Sequence, residues 1–270
     1  MKLFVAIDLE GISGVVSEED TGSQGAAAAV ARAHMRADLD AVLDGCLAAG
    51  AREIVVCDAH DAGRNLDPGG LPSQVRLVAG SPTPHSMMQG IAADCDGALF
   101  VGYHARAGAR AAVLEHTWNY RVFSVTVGDL EVGEFGLGAL LAGHFGVPAV
   151  YLSGDDKAAA EAEALVRGIV TTVVKAGITR LSAALCPPEE ARARIRADVE
   201  RALRAGGPPP LAWNGEPLHL TFTRAEFCDR AEGCPGVHRL DGRTLEVPGA
   251  SYAEVYRGFL ACLQLSEVAG

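Results

Sequence analysis

Acids and histidines recur at the ends of three apolar runs. The first run, Leu3-Phe4-Val5-Ala6-Ile7, ends Asp8-Leu9-Glu10-Gly11. The second ends Cys57-Asp58-Ala59-His60-Asp61, and the third Val101-Gly102-Tyr103-His104-Ala105. In an extended chain residues two apart share a face, so Asp8 and Glu10 point one way, as do Asp58 and His60. Imidazole beside carboxylate, with no thiolate set, is donor chemistry for a borderline divalent cation. Zinc suits it best, with manganese and cobalt as alternatives. Glu134, in Val132-Gly133-Glu134-Phe135-Gly136, is a fifth ligand candidate beside Asp8, Glu10, His60 and His104. Asp8, Glu10 and Glu134 contribute −3 against +4 for two divalent ions, a balance that one hydroxide completes. Charge balance therefore favours two ions over one. Asp155-Asp156 resembles a ligand pair, but Asp155 stands where a helix needs an N-cap and is read as one.

These residues need elements that bring them together. The apolar runs read as buried strands, alternating with helical stretches. In the predicted helix from about Ala26 to Ala49, Leu39, Val42, Leu43, Cys46 and Leu47 fall on one face and Gly50 supplies the stop. Further strands are expected at Glu53–Asp58, Val75–Ala79, Ala98–Gly102, Pro148–Ser153 and Ile169–Lys175. Arg121–Val127 alternates and turns through Gly128-Asp129, a hairpin signal. Pro187-Pro188-Glu189-Glu190 opens a helix, with proline in its first turn. Gly206-Gly207-Pro208-Pro209-Pro210 reads as a linker. Beyond it, strand-like segments precede a last helix whose capping box is Ser251 and Glu254. The expectation is an α/β fold: three layers around a mostly parallel sheet, with a C-terminal α+β subdomain. The catalytic, metal-binding domain is placed at 1–205 and the subdomain at 211–270. In open α/β sheets ligands bind beyond the carboxyl ends of the strands, which is where the acids and histidines stand.

Composition removes several function classes. The chain has 23 basic and 34 acidic residues, a net charge of −11, and no basic cluster. Nucleic acid binding needs the reverse balance, so no nucleic acid partner is expected. With 49% hydrophobic residues and 21% charged, the chain has the composition of a folded domain rather than a disordered one. No segment reaches the roughly 20 apolar residues of a membrane span, and no membrane partner is expected. The seven cysteines are scattered without a C-x-x-C and read as reduced thiols of a cytoplasmic protein.

The motifs also carry a resemblance. Ala6-Ile7-Asp8-Leu9-Glu10-Gly11-Ile12-Ser13-Gly14, Asp58-Ala59-His60, Gly102-Tyr103-His104-Ala105-Arg106, Glu115-His116, Gly133-Glu134-Phe135-Gly136-Leu137 and Ser153-Gly154-Asp155-Asp156 keep a common order and spacing. Together they resemble the zinc D-aminopeptidase family first associated with dipeptide-transport operons. The resemblance implies a metallo-aminopeptidase with two zinc ions per subunit. Asp8 would bridge them, Glu10, His60, His104 and Glu134 would complete the ligands, and His116 would be the catalytic histidine. It also implies short peptides as substrates, D-Ala-D-Ala among them, and a homodecamer. His116 is open to three roles: oxyanion stabiliser, proton shuttle or nucleophile. Two other readings compete. One is a phosphoesterase with the same ligands, which the scarcity of nearby cations (Arg64 and Arg106) disfavours. The other is a non-catalytic peptide- or metal-binding accessory of a transporter, which has no use for an unligated histidine.

Overall fold

The computed structural model describes residues 1–267. In chain order its elements are β1 (Lys2–Ile7), α1 (Glu18–Thr21), α2 (Ala26–Ala48), β2 (Glu53–Asp58), β3 (Val75–Val78), β4 (Gly97–Tyr103), β5 (Val122–Val127) and β6 (Leu130–Glu131). There follow α3 (Glu134–His144), β7 (Ala149–Asp155), α4 (Asp156–Leu165), β8 (Val170–Thr179), β9 (Ser182–Leu185) and α5 (Pro188–Arg204). The last are β10 (Leu218–Phe222), α6 (Ala225–Ala231), β11 (His238–Arg239), β12 (Thr244–Val247) and α7 (Tyr252–Ser266).

A seven-stranded sheet runs β3-β2-β1-β4-β7-β8-β9. All its pairings are parallel except that of β8 with β9. The mostly parallel α/β expectation is met. Alternation along β1 explains the layering. Leu3, Val5 and Ile7 join the core formed with α2 and α5, while Phe4 and Ala6 join the opposite core, with α3, α4 and α7. β1 pairs with β2 on one side and β4 on the other, so the strand order reverses between β1 and β4. Crevices form at such reversals, outside the carboxyl ends of the strands.

A second, antiparallel sheet runs β11-β12-β10-β5-β6. The Gly206–Pro210 segment does lie between α5 and β10. The boundary drawn between 205 and 211 nevertheless does not divide the two sheets, because β5 and β6 come from the earlier segment and pair with β10. The hydrophobic core on that side is continuous from Phe4 through Phe135 to Leu220 and Phe259. The Gly128-Asp129 turn joins β5 to β6 as its sequence suggests, but its hairpin extends the second sheet rather than the first. β8 runs past Lys175 to Thr179 and pairs back with β9, a pairing that the reading of Ile169–Lys175 omits.

Local chemistry accounts for several element ends. Asp155 caps α4, accepting from the N–H groups of Lys157 and Ala158. Ser251 caps α7 through the Glu254 N–H, but Glu254 returns its bond to Ala250 N rather than Ser251 N. All seven cysteines are free, Cys228 and Cys234 included. No described helix is long and apolar enough to cross a membrane.

Candidate metal centre

Two backbone crossings aim the first acids. The Asp8 N–H donates to Val101 O at 2.8 Å and the Gly11 N–H to Gly102 O at 2.7 Å, so the loop after β1 lies on the end of β4. Nothing larger than glycine fits there. A Cβ on Gly11 would lie 2.0 Å from Tyr103 O, and one on Gly102, at φ +68°, would lie 2.4 Å from Asp8 O. The next loop is held by Asp58, which accepts from the N–H groups of Asn65 and Leu66, while the Asn65 amide bonds His60 O. His104 follows β4 directly, and Glu134 opens α3.

The five expected ligands meet. His60 Nδ1 lies 3.2 Å from Asp8 Oδ1 and 3.1 Å from Glu10 Oε2. His104 Nε2 lies 3.5 Å from Asp8 Oδ2 and 3.4 Å from Glu134 Oε2. Asp8, Glu10, His104 and Glu134 are all buried. His116, which the family resemblance made catalytic, joins them: its Nε2 is 3.7 Å from Glu134 Oε1, and its ring stacks on His104 with centroids 4.1 Å apart. By spacing, Asp8, Glu10 and His104 form one group able to hold a metal ion, and His104, His116 and Glu134 another. Asp155, occupied with Val113 N and the α4 cap, is in neither.

The electrostatics are those of a cage short of cations. Burial raises the Asp8 pKa to about 7, aided by Glu10. Burial opposes charge on Glu10 as well, but the neighbouring histidines, His60 first, outweigh it and hold its pKa well below the usual range. Burial opposes the His60 imidazolium too, yet Glu10 and Asp8 push its pKa up to about 12. His104 is raised well above the imidazole range in the same way by Glu134 and Asp8. His116 behaves differently: burial and then the charge of His104 lower its pKa, so it is neutral at pH 7.

The donor set fits a metal. Two buried atoms facing this point, His104 Nε2 and Glu10 Oε2, make no well-formed hydrogen bond among the described residues, only ion-pair contacts of 3.1–3.5 Å. Buried polar atoms are seldom left so, and a cation would satisfy both. Each imidazole is also oriented as a ligand should be. A carbonyl oxygen can only accept, so the nitrogen facing it carries the proton. His60 Nε2–H donates to Thr21 O at 3.0 Å, and His104 Nδ1–H to Ala105 O at 3.0 Å, leaving the opposite nitrogens turned toward the acids.

Several contributors lie outside the motifs read from sequence. α1 supplies the Thr21 carbonyl, and its start is written in the Ser17–Asp20 capping box. Lys175 is buried at the end of the apolar run of β8 and donates to Glu10 O, to Ile12 O at 3.0 Å and to Val15 O at 2.6 Å. Trp118, at φ +67°, turns its N–H onto Glu134 Oε1 at 2.6 Å. Leu114, at φ +52°, presents its carbonyl to His116 Nδ1 at 2.8 Å. Positive φ at two non-glycine residues around His116 is strain held where a side chain must be aimed.

A D-aminopeptidase from Bacillus subtilis (strain 168) is 30% identical over 269 residues, covering 98% of each chain. The solved structure described as "Zn-dependent D-aminopeptidase DppA from Bacillus subtilis, a self-compartmentalizing protease" superposes with a TM-score of 0.96 at 29% identity, covering all of both chains. Residues 1–261 match the D-aminopeptidase family, peptidase M55. The chain belongs to that D-aminopeptidase family.

Proposed function

We propose that this protein releases N-terminal residues from short peptides, D-residues such as those of D-Ala-D-Ala among them. The centre would be two zinc ions per subunit, held by Asp8, Glu10, His60, His104 and Glu134. The observation that carries the reading is the meeting of three carboxylates and two imidazoles on one buried point, with His104 Nε2 and Glu10 Oε2 lacking a well-formed hydrogen bond among the described residues. Zinc, when bound, supplies a Lewis acid that polarises a carbonyl and lowers the pKa of nearby water.

The chain's own groups do the rest. The two oxygens of Asp8 face different imidazoles, His60 and His104, as a shared ligand's would. Glu10 completes the His60 side and Glu134 the His104 side. The Trp118 N–H holds Glu134 in place. Neutral His116 keeps its proton on Nδ1 against Leu114 O, so the lone pair on Nε2 faces the site. There it can take a proton and return it to the departing amine. Proton transfer suits this residue better than attack by the ring, which adds a covalent step. The phosphoesterase reading gains nothing from the cavity, since Arg121 is the one Lys or Arg among the described residues that line it. The scattered cysteines support a cytoplasmic protein, and the resemblance supports a homo-oligomer, decameric in number.

Replacement of His116 by alanine is the test. Turnover of D-Ala-D-Ala should fall by at least about a hundredfold, the scale of general acid–base catalysis, with zinc content per subunit unchanged. Loss of zinc together with activity would make His116 a ligand instead, as its place in a ligand-spaced group with His104 and Glu134 allows.

A further inference from the structure

The cavity above the cluster has a volume of about 840 Å3. Outside the metal ligands its charged side chains are few. Asp8, Glu10, Asp61, Glu134 and Glu267 are acidic, and Arg121 is the single Lys or Arg among the described residues lining it. A short peptide with free ends is a zwitterion. Beyond the metal cluster, Arg121 is the one Lys or Arg side chain among the described residues of this wall that its carboxylate can meet.

Arg121 is built for that contact. It follows Trp118, whose N–H holds Glu134, by three residues, at most about 10 Å of extended chain. That is roughly the length of a short peptide. Its backbone is fixed on both sides: the N–H donates to Asn119 Oδ1 at 3.0 Å, and the carbonyl accepts from the Thr223 N–H at 2.7 Å and hydroxyl at 3.1 Å. A guanidinium binds a carboxylate best with two parallel N–H groups. Here Nη2 meets Glu267 Oε1 at 3.0 Å, while Nε is buried with no hydrogen-bond partner among the described residues. Half of the fork is unused, and Glu267, on the rim, is largely exposed.

We propose that Arg121 receives the C-terminal carboxylate of the peptide substrate, displacing Glu267, and so restricts the enzyme to short peptides with a free carboxyl end. This deepens the aminopeptidase reading and rests on it. The test compares D-Ala-D-Ala with D-Ala-D-Ala amide, which presents the same scissile bond without the charge. The zinc-loaded parent should favour the free acid by at least about tenfold in KM, the scale of a charge-assisted hydrogen bond. R121Q should abolish that preference, chiefly through the KM of the free acid. R121K should recover part of it, and E267Q should lower the KM of the free acid. An unchanged acid-to-amide ratio in R121Q, with both substrates still cleaved, overturns the assignment and leaves the aminopeptidase reading standing. A parent that cleaves neither substrate overturns both. Should R121Q fail to fold, R121K and E267Q decide: ratios equal to the parent's in both overturn the assignment.

Discussion

At each imidazole of the cluster a backbone carbonyl decides which nitrogen is free. Thr21 does this for His60, Ala105 for His104 and Leu114 for His116. The same three-part geometry gives opposite protonation. Beside Glu10 and Asp8, burial fails to keep His60 neutral, and Glu134 and Asp8 do the same for His104. His116 stacks on the resulting charge and stays neutral. Without metal, His60 and His104 therefore carry their protons at pH 7, and a cation must displace them. Zinc uptake should release more than one proton per subunit, and affinity should fall as pH falls from 8 to 6, because the raised pKa values favour the protonated, metal-free form. Calorimetry in buffers of different ionisation enthalpy measures the release. Uptake with no proton released would contradict the protonation assigned here.

The elements are held to this point by contacts far apart in sequence. Lys175 on β8 is the main example, because its ammonium closes three carbonyls of the loop that begins at Glu10. Burial lowers its pKa to about 8. Methionine at this position would fill the space but leave three buried acceptors open. The cost should be on the order of 3 kcal/mol, allowing for partial relaxation. Urea unfolding of metal-free Lys175→Met should show that loss, and its zinc affinity should drop, since Glu10 is no longer pinned. A variant as stable and as tight for zinc as the parent would remove Lys175 from this role. The site-bearing strands β1, β2 and β4, α2, the Asp155 cap and the converging side chains are legible in the sequence, because each rests on local periodicity, a strand end or, for Glu134, a helix start. Lys175, Trp118 N and Leu114 O are not legible. A lysine closing an apolar run carries no mark of which carbonyls it will meet 160 residues earlier, and a backbone group has no residue type to read. β9 and α6 are short elements whose stability comes from partners, so their sequences carry little signal.

On the scale of the whole molecule, the site lies between two structures. The carboxyl ends of β1, β2 and β4 supply its floor, and α7 supplies one wall through Leu260, Leu263 and Gln264, extended by its C-cap Glu267. Trp118 ties the two together: it bonds Glu134 and meets Phe259 of α7 edge-on at 5.4 Å. The second sheet, which takes β5 and β6 from just after the His116 loop, fixes that wall. The fold thus brings its acids and imidazoles into one cage only as a whole, and what the cage contains is the central claim. Anomalous diffraction at the zinc edge, from crystals of zinc-loaded protein, tests it most directly. Two peaks per subunit should appear, one between Asp8, Glu10 and His60 and the other between Asp8, His104 and Glu134. A loaded crystal with no peak among these residues, or with zinc bound elsewhere, would contradict the account.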